Sequence, residues 1–248
     1  MNNRYTIKLG GESGQGINTL GILLCKSLKS VGYSTFAYRE YPSLIKGGVA
    51  SYQIDISSKD INSSSRFCNI LAILDPDSLP EYLPSLVSNG VLIYDDRIDF
   101  TQEQLDILQK QNISTIYIDT QMIAREAGGN PIMSNMVILS FIWKILGLTL
   151  ESLEDIVKQI FLEKGNEVVE KNLKCISAGF NTNIYKEEYN QKNCMPIPQI
   201  DNKNKKILTG NDAIALGAIA CGVRALYVYP MTPATSIFKY LGNTYKKT

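Results

Sequence analysis

Leu9-Gly10-Gly11-Glu12-Ser13-Gly14-Gln15-Gly16 stands between an apolar run, Tyr5 to Leu9, and a helix-patterned run, Ile17 to Val31. A strand, a glycine turn and a helix in that order predict an α/β fold and make a platform for phosphate. Glycine lets the backbone come close to an anion, and the free N–H groups at a helix N-terminus point at it. The glycines at 11, 14 and 16 read G-x-x-G-x-G, not the G-x-G-x-x-G of dinucleotide folds. No Gly-Lys-Ser/Thr follows, which argues against a nucleotide P-loop. From the loop alone, an anion site and a tight βα turn that binds nothing are equally good readings.

Outward from this turn the pattern alternates. Ser34 to Tyr38, Ala50 to Ile56, Ile70 to Leu74, Val91 to Tyr94 and Thr115 to Ile118 predict strands. Ile70 to Leu74 and Val91 to Tyr94 are continuous apolar runs, as in strands buried on both faces of a parallel sheet. Helices are expected at Pro76 to Val87, shortened or kinked by Pro80 and Pro84, and at Thr101 to Gln111. Ligands on such open sheets gather at the carboxyl ends of strands, where the glycine turn sits. Between the second and third strands, Lys46-Gly47-Gly48 offers a second anion contact or a solvated turn. Glu40 lies at about the distance of an acid that holds a nicotinamide ribose, but the glycine pattern is wrong for that.

After Asp119 the chain turns helical: Asn135 to Leu146, Leu150 to Leu162 and Glu167 to Phe180, with Gly147 and Thr149 as stop and N-cap signals. Asn181 to Lys206, rich in Asn, Lys, Gln and Pro, reads as a linker. Beyond it, Thr209 to Cys221 is helix-like and Ala225 to Tyr229 strand-like, and a further helix follows Ser236. One βα unit cannot bury a core of its own, so this end is expected to be truncated or to need a partner.

Composition narrows the chemistry. With 25 Lys plus Arg against 24 Asp plus Glu, a general nucleic-acid binder is disfavoured. No histidine is present, which removes Ser-His-Asp and Cys-His catalysis and His-ligated metals. Cysteines at 25, 68, 175, 194 and 221, without a C-x-x-C, build neither a ferredoxin-type cluster site nor a zinc knuckle within the chain. They read as reduced cytosolic thiols, with Cys25 and Cys221 packing among apolar helix residues. Met133 to Leu148 is the most apolar helix candidate and is too polar to span a membrane, so a cytoplasmic protein is expected.

Several stretches together resemble one family. They are Gly10 to Gly16 with Tyr41-Pro42-Ser43-Leu44-Ile45-Lys46-Gly47-Gly48, Asn135-Met136-Val137, and Lys164 to Lys174. Last come Gly210 to Ala218 and Tyr229-Pro230-Met231-Thr232-Pro233-Ala234-Thr235, the most specific pair. The chain resembles the alpha subunit of 2-oxoacid:ferredoxin oxidoreductases in which a gamma-type domain precedes a thiamine-pyrimidine domain, the 2-oxoglutarate branch above all. The resemblance implies a Rossmann-like open sheet (residues 1–182) with C-terminal helices, a linker (183–206) and the start of a thiamine-pyrimidine α/β domain (207–248).

It also implies oxidative decarboxylation of a 2-oxoacid with thiamine diphosphate, acyl transfer to coenzyme A and electron delivery to ferredoxin. Thr232 maps onto the family's threonine beside the thiamine, with Tyr229, Pro230 and Thr235 around the substrate carboxylate. Gly14, Gln15, Gly16, Lys46, Gly47 and Gly48 become candidates for the coenzyme A phosphates. Thiamine diphosphate with Mg²⁺ and the 4Fe–4S clusters are expected on a beta subunit or further domains. The partners implied are that subunit, the rest of the alpha subunit and ferredoxin, with no metal held here.

Two departures stand out. The family's glutamate that activates the thiamine falls beyond Thr248, so the chain alone is expected to be inactive. Gly47-Gly48-Val49-Ala50 replaces a common Gly-Gly-His-Asn. The rival readings are a non-catalytic assembly or regulatory subunit and a nicotinamide-dependent oxidoreductase.

Overall fold

The first strand runs past its apolar core. In the computed structural model, which describes residues 4–41, 48–95, 98–183, 206–231 and 233–245, β1 spans Arg4–Glu12 and takes Gly10 and Gly11 into the sheet. This corrects the expectation of a turn from residue 10; the turn is Ser13 to Gly16. A Cβ on Gly10 would lie 2.7 Å from the Tyr82 ring and 2.8 Å from Ile73, and one on Gly11 would strike Ile17. Those two glycines serve close packing. Gly14 (φ 108°) and Gly16 (φ 81°) serve the turn itself.

The chain continues through α1 (Ile17–Ser30), β2 (Ser34–Glu40), β3 (Val49–Ser57), β4 (Cys68–Ile73), α2 (Ser78–Tyr82) and β5 (Leu86–Tyr94). The proline pair acts as expected: α2 stops at Tyr82 and passes into a 3₁₀ turn that contains Pro84. Then come α3 (Gln102–Lys110), β6 (Ser114–Tyr117), α4 (Thr120–Glu126), α5 (Ser134–Ile145), α6 (Leu150–Phe161) and α7 (Asn166–Asn181). Thr101 caps α3 through a reciprocal pair: its hydroxyl accepts the Gln104 N–H, and the Gln104 side chain accepts the Thr101 N–H. Thr149 occupies the N-cap position of α6, but its side chain makes no cap; its carbonyl instead accepts the Trp143 indole N–H at 3.0 Å.

The six strands lie in the order β2-β3-β1-β4-β5-β6. β1, β4, β5 and β6 are parallel, whereas β3 runs antiparallel to both β1 and β2. The connection from β2 to β3, residues 41–48, is too short for the crossover that a parallel pair needs, so the chain must reverse. On β3 the polar half of the alternation is also buried: Ser51, Gln53 and Asp55 are at most 4% exposed. Asp55 survives there because it accepts from the Thr6 hydroxyl (2.6 Å), Arg4 Nε (3.0 Å) and the Ser65 N–H (3.3 Å).

α1 lays Leu20, Leu23, Leu24 and Leu28 against β2 and β3. α5 is apolar nearly all round because α1, α4, α6 and α7 surround it; Phe141, Ile142 and Trp143 are fully buried.

The chain divides into two compact units, Met1–Lys203 and Asn204–Thr248. The expected linker falls on residues that lie almost wholly outside the described ones. In the second unit, α8 (Gly210–Ala220) begins with Thr209 and Asp212 in a reciprocal cap, and α9 spans Thr235–Tyr245. Asn211 Nδ2 donates to the Pro233 carbonyl (2.9 Å) and to Ser236 Oγ (2.5 Å). Ala225 to Tyr229 forms no strand, contrary to expectation. A strand exists only when a neighbour takes its N–H and C=O groups, and no described segment does so. Cys221 to Met231 are all exposed, so Cys221 is not packed either. Among the described residues, no helix is long and apolar enough to cross a membrane.

Candidate functional site

The four parallel strands end along one edge of the sheet, and a cavity of about 320 Å³ opens there. Gly14, Gln15 and Gly16 reach it after β1, Leu74 after β4, Asp95 after β5 and Thr120 after β6. Pro131, Ile132, Ser134, Asn135 and Ile138 close it from the start of α5. This is the carboxyl-end crevice where open α/β sheets hold their ligands.

The turn is held from four sides. The Gln15 N–H donates to the Glu12 carbonyl at 3.2 Å, and Gln15 Oε1 accepts the Glu12 N–H at 3.0 Å. The Ser13 N–H donates to the Gly48 carbonyl at 3.1 Å, which ties the second glycine stretch to the first. Asn135, from a position 120 residues away, donates Nδ2 to the Gln15 carbonyl at 3.4 Å. In a trans peptide the Gln15 carbonyl and the Gly16 N–H point in opposite directions, so fixing one fixes the other. A Cβ on Gly16 would lie 2.5 Å from Asn135 Nδ2. No side chain caps α1 at Gly16. Its first-turn N–H groups and the positive end of its dipole are left for an anion.

The sequence candidates fall into three groups. Gly14, Gln15 and Gly16 line the cavity, and Gly48 joins their turn through its carbonyl. Lys46 and Gly47 lie outside the described residues, as does Thr232. Tyr229 is 79% exposed and Pro230 is exposed, while the Thr235 N–H donates to the Met231 carbonyl at 3.2 Å. The sequence reading missed Asp95 and Thr120, and it took Asn135 only as a motif residue. Their signal was position: Asp95 directly follows the predicted strand Val91 to Tyr94, and Thr120 stands just beyond Thr115 to Ile118.

Other chemistry-bearing groups are already engaged. Glu40 pairs with Lys8 at 3.0 Å and accepts the Ser51 hydroxyl at 2.7 Å, so it is not offered to a ribose. Burial pushes the Glu40 carboxyl up, but the Ser51 hydroxyl and the Lys8 ammonium outweigh that and hold it below its ordinary value. Burial pushes the Cys68 thiol up to about 11 and raises those of Cys25 and Cys175 as well, which makes them packing groups. Among the described residues, no group of three His, Cys, Asp or Glu side chains is placed to hold a metal. The described residues of 206–245 do not by themselves fit thiamine diphosphate, since the segment next to Thr232 is exposed and walls in no ring. Among the described residues, Cys25, Cys68 and Cys175 are buried on separate elements and do not fit an iron–sulfur cluster.

A profile of the pyruvate ferredoxin/flavodoxin oxidoreductase family matches residues 6–182. The alpha subunit of a 2-oxoacid:ferredoxin oxidoreductase from a Sulfolobus species is 26% identical over 96% of this chain and 42% of its own length. The chain thus spans less than half the length of such curated relatives. A 2-oxoglutarate:ferredoxin oxidoreductase from Magnetococcus marinus, solved with 2-oxoglutarate, coenzyme A and succinyl-CoA, matches in fold with coverage of 100% of this chain and 42% of its own (TM-score 0.83, 22% identity). A keto/oxoacid ferredoxin oxidoreductase gamma subunit from Geobacter sulfurreducens matches 71% of this chain and 94% of its own (TM-score 0.58, 24% identity).

Proposed function

The chain belongs to the pyruvate ferredoxin/flavodoxin oxidoreductase family, and from that premise we propose that it is part of a cytoplasmic 2-oxoacid:ferredoxin oxidoreductase acting on 2-oxoglutarate. The enzyme oxidatively decarboxylates the 2-oxoacid with thiamine diphosphate, transfers the acyl group to coenzyme A and reduces ferredoxin. Thiamine diphosphate, Mg²⁺ and the iron–sulfur clusters are assigned to a beta subunit and further domains. The observation that carries the reading is the order of parts. A sheet domain matched by the family runs on, in one chain, into a second unit, and the Sulfolobus alpha subunit aligns across both.

This chain's own contribution is to bind and orient. The N–H groups of the Gly14-Gln15-Gly16 turn and the α1 N-terminus hold phosphate of coenzyme A, with Lys46, Gly47 and Gly48 beside them. Holding that end fixes where the thiol can reach, which makes acyl transfer effectively unimolecular. Thr232 orients the substrate carboxylate with a hydroxyl that brings no competing base, supported by Tyr229, Pro230 and Thr235. Residues 1–182 act as the gamma-type domain, 183–206 as linker and 207–248 as the opening of the pyrimidine domain. The engagement of Glu40 by Lys8 and Ser51 weighs against the nicotinamide reading.

The test is reconstitution with the beta subunit and the remainder of the alpha subunit, assayed as 2-oxoglutarate- and coenzyme A-dependent ferredoxin reduction. Gly16→Ala should raise KM for coenzyme A and leave KM for 2-oxoglutarate unchanged. Thr232→Ala should lower kcat. An assembled complex without coenzyme A-dependent turnover would overturn the reading.

A further inference from the structure

One buried polar group in the cavity is left unused by this account. Thr120 opens α4 and lines the cavity; the residue is 4% exposed, and its hydroxyl hydrogen-bonds to no described residue. A ligand that displaces water from that hydroxyl must supply the hydrogen bond it loses, so a ligand with a donor or acceptor there is favoured over one without. Its neighbours are committed: Asp119 accepts the Met122 N–H, Ser134 donates to the Pro131 carbonyl, and Asn135 holds Gln15. The hydroxyls of Ser27, Thr35 and Ser78, which are sealed from water without a partner, do not line the cavity.

Sheet order decides what Thr120 can meet. β4 and β5 lie between β1, which carries the glycine turn, and β6, which leads to Thr120. Three strand spacings amount to roughly 14 Å, beyond the reach of a single phosphate group. The far end of the cavity therefore meets a different part of the ligand, one that can share a hydrogen bond with a hydroxyl.

Resting on the coenzyme A reading above, we propose that Thr120 is a binding residue. Its hydroxyl hydrogen-bonds an uncharged hydroxyl or amide of the ligand, while the glycine turn holds the phosphate. In coenzyme A such groups occur on the ribose and along the pantetheine arm. Leu74 and Ile138 line the same cavity and supply apolar contact beside that bond.

The experiment is calorimetric titration of the full chain with coenzyme A, with adenosine 3′,5′-bisphosphate and with 4′-phosphopantetheine, using the wild type, Thr120→Val, Thr120→Ser and Gly16→Ala. Thr120→Val should weaken coenzyme A about fivefold, the worth of one neutral hydrogen bond, and Thr120→Ser should restore it. The loss should follow whichever half carries the bonded group. The melting temperature of Thr120→Val should be unchanged or higher, because the hydroxyl has no partner to lose in the free protein. If Thr120→Val binds like wild type, or melts lower while Thr120→Ser does not, the inference falls. The coenzyme A reading then still stands on binding that Gly16→Ala weakens. If coenzyme A does not bind the wild type but one half does in a Thr120-dependent way, that reading falls and the inference stands. No binding of any probe overturns both.

Discussion

Ile70 to Leu74 and Ala225 to Tyr229 are similar apolar runs with opposite fates. The first is a central strand between β1 and β5 with its apolar side chains almost wholly buried; the second is an exposed segment with Tyr227 at 95%. The same contrast holds for helices. α5 is apolar and enclosed, whereas α8 is equally apolar and leaves Ile214 at 58% and Ile219 at 42% exposure, with Ala215 its one buried residue. Local sequence thus specifies which segments seek burial, and only neighbours in the same unit provide it. Residues 4–183 contain those neighbours, and 206–245 do not.

The largest expected effect tests that contrast directly. Phe141→Ala, at a fully buried site, should cost about 3–5 kcal/mol in denaturant unfolding. Ile214→Ala should change stability by no more than about 0.5 kcal/mol. A comparable loss at both positions would mean that the second unit has a core of its own. Next, Gly16→Ala should cost about 1–3 kcal/mol, because φ is 81° and Asn135 fills the space. Gly217→Ala, inside α8 with nothing within 4 Å of the added Cβ, should be neutral or stabilise by about 0.5–1 kcal/mol.

The smallest effect concerns the ion pair at the end of β2. The Glu40 carboxyl is held below its ordinary value of 4.5. Its stabilisation is therefore fully present above that value and lost as pH falls through the lowered one. Glu40→Gln should be less stable than wild type at pH 7, and the gap should close in acid. A gap that persists unchanged at pH 3 would assign the difference to packing instead. The effect stays modest because the Glu40 side chain is 41% exposed and partly screened.

Much of the first unit was legible because its signals are local: apolar runs, proline stops and the helix after the turn. What escaped depended on distant residues. Gly10 and Gly11 looked like turn glycines, and only Tyr82, Ile73 and Ile17 reveal that they permit close packing. The alternation of β3 marked a strand but not the fate of its polar residues, and it is Arg4, Thr6 and Ser65 that let Asp55 be buried. Gly14 and Gly16 were readable from their place between a strand and a helix. Asp95 and Thr120 become site residues only when strand order brings the ends of β5 and β6 beside the glycine turn, and order along a sheet is not written in any one segment.

The most direct test of the account is a ¹H–¹⁵N titration of the full chain with coenzyme A. Saturable shifts should appear at Gly14, Gln15, Gly16 and Asn135, while the amides of α8 stay in place. Saturable shifts confined to residues 206–245, or none at all, would contradict the assignment of coenzyme A to the glycine turn.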